Sequence, residues 1–408
     1  MKILQVYEKP LPAVGPGPAA VGGVETYLAT LIQGLERRGA TLSTLRFVRR
    51  GAEVPPASGR HYVLQGASLR PAPGLKRALQ AILEREQPDV VHLHSVFYAL
   101  GPGLLRWLGA RKPLAMTLHE VSPLCFWRTR VMSSGRLCDR AVGAGCLTCG
   151  CYRPGGAAPL LTDLVRIALH GRHLDEYRRL PLLIVPSRYM AEQLAINAFE
   201  SERVRVVPLP SPFPPAAAPP DAGRDLILYV GRLTPGKGVR ELIESLARLR
   251  AEHWEALLLG EGELLDEIRR RIEAAGLADR VRVEGRCSRA ELEEHYRSAS
   301  VVVFPSMAPE SFGLVGLEAM AHARPVVAFA AGGVAEWLEH GHTGLAAARG
   351  DVAGLAAQLD RLLEDAPLRR RLGENALAAA RERFALEPHL DRIVALYQER
   401  RAAFGSSA

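Results

Sequence analysis

Two glutamates eight positions apart, Glu310 and Glu318 in PESFGLVGLEAMA, set the chemistry of the most informative stretch. An apolar run, VVVFP, ends at Pro305, Glu310 follows in a loop, and a helix is expected from about Phe312. Glu318 then lies about two turns into that helix, roughly 9 Å along its axis. The amides of Phe312, Gly313 and Leu314, with Ser311 just ahead, open the helix, where N–H groups lack intrahelical acceptors. Such a turn can hold phosphate, and carboxylates ahead of it and behind it can accept hydrogen bonds from the diol of a sugar or ribose. A second stretch, YVGRLTPGKGVREL, places Arg232 and Lys237 on a Gly/Pro loop between an expected strand and helix. Arginine grips two phosphate oxygens at once and lysine adds a point charge, which suits a diphosphate. Lys237 is one of five lysines against 47 arginines. Near the N-terminus, Gly22 and Gly23 stand where a helix begins and offer bare backbone to a phosphate. Their spacing is not GxGxxG, which leaves a dinucleotide site weakly supported, and not GxxxxGKS/T, which excludes an ATPase loop.

Five of the six cysteines fall between Cys125 and Cys151, and the sixth is Cys287. This crowding is unlike a secreted disulfide scaffold and points to metal or redox chemistry. Cys146 and Cys149 have chelate spacing, and Cys125 and Cys138 would complete four thiolates, with Cys151 spare. Four sulfurs suit tetrahedral Zn or an Fe–S cluster. Reduced, unligated thiols are the alternative.

Short apolar runs alternating with amphipathic stretches must position these groups. Strands are expected at Ile3–Tyr7, Thr41–Phe47, Asp89–His94, Pro113–His119, Leu182–Ser187 and Arg205–Leu209, with helices between them. Five prolines between Ser211 and Asp225 read as a linker. The alternation then resumes, with strands at Leu226–Gly231, Ala256–Gly260, Arg282–Glu284, Val301–Pro305 and Pro325–Phe329, and a mostly helical tail from Val352. The pattern is α/β: two doubly wound parallel-sheet domains, 1–210 and 225–385, joined by 211–224, with ligands bound beyond the strand ends in a shared cleft. A last helix, 386–408, is expected to pack back toward the first domain. No run of about 18 uncharged apolar residues predicts a membrane span, and no signal-peptide pattern opens the chain, so a cytoplasmic location is expected. The net charge of +8 is uneven: residues 1–210 carry +12 and residues 211–408 carry −4. A basic first half suits an anionic partner, whether a phospholipid surface, a phosphate-bearing acceptor or nucleic acid, or else serves solubility.

The Glu310-x7-Glu318 spacing resembles the EX7E motif of retaining, GT-B-fold glycosyltransferases of family GT4. GGVETY, VGRLTPGKG, LLLGEGEL, GGVAEWLEHGHTGL and TLHE resemble further segments of that family in the right order, with Glu120 where aspartate is commoner. Cys-rich insertions after the histidine occur in a subset of similar enzymes. The resemblance implies a nucleotide-sugar donor in the second domain and a glycan or lipid-linked acceptor in the first, for exopolysaccharide or lipopolysaccharide assembly, with no nucleic acid. Arg232 and Lys237 would neutralise the diphosphate, Glu310 would contact the donor sugar and Glu318 the ribose. The amides of Phe312–Leu314 would hold phosphate, Gly22 and Gly23 would approach from the first domain, and His119 would stand by the reacting sugar. Arg286 and Cys287 would border the base. No DxD metal signature is evident, so no catalytic metal is expected, leaving only a structural Zn or Fe–S centre at the cysteines. A nucleotide-sugar epimerase, a catalytically silent nucleotide-sugar binder and a dinucleotide oxidoreductase are the rival readings.

Overall fold

The computed structural model describes residues 1–8, 22–48, 59–65, 74–97, 99–132, 134–151, 160–217 and 225–406. The Gly/Pro run ahead of Gly22 and residues 218–224 of the expected linker lie outside them. The chain divides into two compact units: Met1–Leu11, Tyr27–Val207 and Glu387–Ala408 form the first, and Pro12–Thr26 with Pro208–Leu386 form the second.

The first unit contains β1 (Lys2–Tyr7), α1 (Gly23–Arg37, entered from residues 22–26), β2 (Thr41–Val48), β3 (His61–Gln65), α2 (Leu75–Glu86), β4 (Val90–His94), α3 (Pro102–Gly109), β5 (Leu114–Thr117), α4 (Leu160–Arg178), β6 (Leu183–Val185), α5 (Arg188–Ile196) and β7 (Val204–Val206). Seven parallel strands run in the order β3-β2-β1-β4-β5-β6-β7. All five residues of β4 are buried, as expected of a strand covered on both faces. Ser187 caps α5, its Oγ accepting from the Met190 amide at 3.1 Å. β3 is an addition to the expected set. It pairs only with β2, at the sheet edge, and one of its five residues is fully buried, so its hydrophobic signal is weak. The helix after β4, α3, starts at Pro102, whose fixed φ suits the first helical turn.

The second unit contains β8 (Leu226–Val230), α6 (Val239–Leu246), β9 (Glu255–Leu259), α7 (Leu265–Ala274), β10 (Val281–Glu284), α8 (Arg289–Ser298), β11 (Val301–Phe304), α9 (Leu314–Ala321), β12 (Val326–Phe329), β13 (Gly344–Ala347), α10 (Val352–Glu364) and α11 (Ala366–Arg383). Its six parallel strands run β10-β9-β8-β11-β12-β13. Strand order reverses between β8 and β11, the switch point at which ligands of such sheets bind. β13, GLAA, was not expected. Its Gly344 is dictated by closeness, since a Cβ there would come within 2.4 Å of the Val326 carbonyl oxygen.

The expected linker is seated on the second unit as far as residue 217. The Ser211 amide donates to the Phe384 carbonyl at 2.8 Å and the Ala216 amide to the Ala321 carbonyl at 2.8 Å. Phe213 is buried, with the Arg289 guanidinium 4.4 Å from its ring centroid. The last helix, α12 (Leu386–Gly405), lies almost wholly in the first unit, where Leu390 packs on Gly34 and Arg38 pairs with Glu387 and Asp391. No helix among the described residues is long and apolar enough to cross a membrane.

Candidate functional site

At the switch point of the second unit, the loops after β8 and β11 lock together. Gly238 has φ 72°, and a Cβ on it would fall 1.6 Å from the Pro305 carbonyl oxygen, so the residue must be glycine. The Met307 and Ala308 amides both donate to the Gly236 carbonyl, at 2.9 and 2.8 Å. This lock brings Lys237 and Glu310 together: the Lys237 ammonium donates to Glu310 Oε1 at 2.6 Å, as does Ser306 Oγ at 2.6 Å. Burial alone would raise the Glu310 carboxyl. The charge and hydrogen bond of Lys237, the Ser306 bond and the charge of Arg232 overcome that and hold it below its ordinary value. Ser306, which the sequence reading passed over, is thus part of the site.

Two further glycine loops brace this pair. The Leu233 amide donates to the Glu261 carbonyl at 2.9 Å, and a Cβ on Gly262 would meet the Leu233 carbonyl oxygen at 2.2 Å. The Gly333 amide donates to the Glu310 carbonyl at 2.7 Å, and Gly332, at φ 63°, leaves room for the Glu310 backbone. Trp337 Nε1 donates to the Phe312 carbonyl at 2.8 Å and its ring fills the space beside Gly316. With Gly313 in the left-handed region as N-cap, α9 starts at Leu314 rather than Phe312.

Glu318 has a different partner. It is buried on α9 and accepts from Tyr296 Oη of α8 at 2.6 Å. Burial raises its carboxyl above the ordinary value, and the Tyr296 bond and the Arg289 charge only partly offset that. Cys287 lies close enough to Tyr296 to act on it electrostatically. Burial, and the charge of Glu291, push the Cys287 thiol up. Arg286 is exposed and bonded to Glu261 at 2.8 Å. A recess of about 340 Å³ lined by Glu339, His342, Asn375 and Arg383 involves none of these groups.

In the first unit His119 follows β5, buried, with its amide donating to Ser95 Oγ at 3.0 Å and its Nε2 3.0 Å from His94 Nδ1. Gly22 and Gly23 begin α1, the Gly22 carbonyl accepting from the Thr26 amide at 3.1 Å, and both are grouped with the second unit. His94 and His92 escaped notice in the sequence. Two histidines at alternate positions of an otherwise apolar buried strand, VVHLH, were the available signal.

The cysteines gather. Cys125, Cys138 and Cys151 form a buried cluster with Trp127, against which Cys149, Phe126 and Met132 pack. Cys151 joins the cluster: it is buried, with its sulfur 2.9 Å from that of Cys149. Cys146 is half-buried. Burial and the neighbouring sulfurs of Cys149, Cys125 and Cys138 raise its thiol. All are free thiols. Among the described residues, no three of His, Cys, Asp or Glu are set to hold a metal ion as they stand.

Comparison with known proteins agrees with this architecture. Residues 21–210 match the sequence model of Glycosyltransferase Family 4, and residues 210–378 that of Glycosyl transferases group 1. The alpha-D-kanosaminyltransferase of Streptomyces kanamyceticus is 34% identical over 178 residues, 43% of this chain and 46% of the relative. The lipopolysaccharide core biosynthesis mannosyltransferase of Rhizobium leguminosarum is 34% identical over 182 residues, 43% of this chain and 51% of the relative. The chain thus spans about half the length of these curated relatives. Anabaena HepE, solved in complex with UDP-glucose, shares the fold at TM-score 0.68 and 22% identity, over 98% of this chain and all of that one. With a glycosyltransferase model matching each half of the chain and the fold shared throughout, the protein belongs to the GT-B glycosyltransferases.

Proposed function

We propose that the protein is a retaining glycosyltransferase that moves a sugar from a UDP- or GDP-sugar to a lipid-linked or polysaccharide acceptor in cell-surface glycan assembly, in the cytoplasm. The observation that carries this reading is the Lys237–Glu310 pair at the switch point of the second sheet, with Arg232 beside it. Breaking the bond from the sugar to a nucleoside diphosphate leaves negative charge on phosphate. Fixed cations and helix-start amides stabilise that charge without reorganising. Lys237 keeps further N–H donors for phosphate while one is held by Glu310, and Arg232 takes the place a divalent ion would otherwise fill. Glu310, already engaged by Lys237 and Ser306, is poorly suited to act as a nucleophile of double displacement. Front-side attack guided by the leaving phosphate follows, with His119 proposed as a further group acting on the reacting sugar. The lipopolysaccharide and UDP-glucose comparisons support the substrate class.

Incubation with UDP- and GDP-sugars, with and without lipid extract, tests this. Acceptor-dependent release of nucleotide is expected. Acceptor-independent turnover would favour an epimerase or hydrolase, and binding without turnover a silent binder. The two glutamates should separate: Glu318→Gln and Tyr296→Phe raise the donor KM, because a ribose contact serves ground and transition states alike, whereas Glu310→Gln lowers kcat. If Glu310→Gln moved KM alone, Glu310 would leave the reacting end of the site.

The acceptor side is proposed to meet anionic membrane. Four large apolar side chains of α4 are exposed, Leu161 (73%), Leu164 (41%), Val165 (53%) and Leu169 (37%), at spacings that share a helix face. The contact is placed toward the start of α4 rather than its end, because Arg178 and Arg179 are engaged by Asp175 and Glu176. Binding to anionic vesicles is expected to weaken steeply between low and high salt, and Val165→Asp to abolish it. Equal binding to neutral vesicles would refute the proposal.

The cysteine cluster is proposed to hold one structural metal, most simply Zn, through Cys125, Cys138 and Cys149 with Cys146 or Cys151. Thiolates at about 2.3 Å from one ion stand about 3.8 Å apart, so the sulfurs of Cys149 and Cys151 would have to part if both bound. Two observations fit thiolates. The Arg130 amide donates to Cys125 Sγ at 3.3 Å, and the Arg130 side chain is fully buried with its Nε–H unpartnered. Thiolate charge in this buried cluster would help compensate the buried Arg130 cation. Elemental analysis of protein purified without added metal is expected to find about one equivalent. Less than a tenth of an equivalent of Zn and Fe, with freely titratable thiols, would defeat the idea.

A further inference from the structure

A continuous chain of buried polar side chains runs through the first unit from α12 to His119. Tyr397 Oη lies 2.6 Å from His92 Nδ1, and His92 Nε2 lies 2.8 Å from Thr117 Oγ1. Gln5 Nε2 donates to Tyr397 Oη at 3.4 Å, and Gln5 Oε1 lies 2.6 Å from His94 Nε2. His94 Nδ1 then lies 3.0 Å from His119 Nε2, the two rings stacked with centroids 5.3 Å apart. Gln5, His92, His94, Thr117 and Tyr397 are all at most 1% exposed. They come from β1, β4, β5 and α12, and the matched registers of β1 with β4 and of β4 with β5 bring them level.

The chemistry of the groups dictates the direction of each bond. A carbonyl oxygen only accepts, so the hydrogen between Gln5 and His94 sits on His94 Nε2. Burial, and the neighbouring rings of His92 and His119, keep His94 neutral. Its Nδ1 is therefore an acceptor, and the hydrogen between the two histidines belongs to His119 Nε2. Tyr397 Oη accepts from Gln5 and has one hydrogen of its own to give toward His92 Nδ1. His92 is pushed down to about 3 by burial and by the His119 and His389 rings, and its Nε2 is paired with Thr117 Oγ1. From Gln5 through His94 to His119 every hydrogen has one place. In its neutral form His119 is the Nε2–H tautomer, and Nδ1 is its accepting nitrogen.

We infer that Tyr397, Gln5 and His94 are positioning residues that set the tautomer and ring plane of His119, so that a helix late in the sequence tunes the sugar-facing histidine of the first unit. This rests on the proposed role of His119 beside the donor sugar. A sugar hydroxyl would donate to an accepting Nδ1, and the opposite tautomer would present an N–H there instead. None of the three needs to touch substrate.

Imidazole ¹⁵N NMR of the full chain reads the tautomer without any turnover. The wild type is expected to show His119 with a protonated Nε2 and an unprotonated Nδ1, and Tyr397→Phe and Gln5→Leu to show mixed tautomers. Both variants should lower kcat about three- to tenfold and displace its pH profile, with UDP and GDP binding unchanged, as nucleotide contacts lie in the second unit. His94→Asn, whose Oδ1 can still accept from His119, should retain more kcat than His94→Leu. A wild-type His119 carrying its hydrogen on Nδ1, or wild-type spectra and kcat in both Tyr397→Phe and Gln5→Leu, would overturn the relay. Unimpaired transfer by His119→Ala would instead overturn the role of His119, leaving the spectroscopic result intact.

Discussion

Lys237→Ala is expected to cut kcat by about 10²–10³-fold, the cost of about 2.7–4 kcal/mol seen when one preorganised donor to developing negative charge is removed. Lysine has two duties here, toward the leaving phosphate and toward Glu310, 2.6 Å away. Removing it takes away the strongest influence that opposes burial of the Glu310 carboxyl, which should then rise above its ordinary value of 4.5. A carboxyl depressed by folding adds stability above its unfolded pKa and loses that increment as pH falls through the folded one. The wild type should therefore shed this contribution in acid below about 4.5, and Lys237→Ala should lack it at neutral pH. Arg232→Ala should slow turnover while disturbing Glu310 less, since its charge acts on that carboxyl less than Lys237 or Ser306 does. Steady-state kinetics with acid titration of stability checks all of this. Wild-type turnover in both variants would sink the donor-site assignment.

Gly238→Ala should be the most damaging small substitution in the second unit. A left-handed backbone costs a residue with a Cβ roughly 1–2 kcal/mol, and here the new methyl would also fall 1.6 Å from the Pro305 carbonyl oxygen. Either the lysine loop or the end of β11 must move, and both carry the site. Gly276 supplies the control. It has φ 69° but no atom within 4 Å of an added Cβ, so Gly276→Ala meets the backbone cost alone. At roughly 2–4 °C per kcal/mol for a unit of this size, Gly276→Ala should lower Tm by a few degrees. Gly238→Ala should lower it much further and abolish binding of UDP and GDP. Equal losses of Tm would show that the two loops are not locked together.

The residues proposed for the donor side were legible because their signals are local. Lys237 and Glu310 each follow a strand on a short loop, and a doubly wound sheet brings such loops to one end. Tyr296 and Ser306 were not legible, since a tyrosine in RAELEEHYRS reads as ordinary helix filling until α8 is seen facing Glu318. The histidine chain is harder still. Gln5, His92 and Tyr397 are far apart in sequence, and only the strand register makes them neighbours. β3 and β13 were missed for opposite reasons: one is half-exposed at an edge, the other is made of small residues that closeness to Val326 demands.

The place of α12 carries a consequence for biosynthesis. Its Tyr397 partners Gln5 and His92, which belong to the first and fourth strands, yet all of the second unit except residues 12–26 is encoded between Val207 and Glu387. At about 5–20 residues per second, a ribosome needs roughly 10–40 seconds to cross that interval. During that time the nascent first unit has its sheet but not the helix that closes Gly34 and caps the buried histidines. Every residue of the second unit precedes Glu387, so that unit can finish first. Maturation therefore runs against the direction of translation, with the earliest-made sheet the last to be sealed.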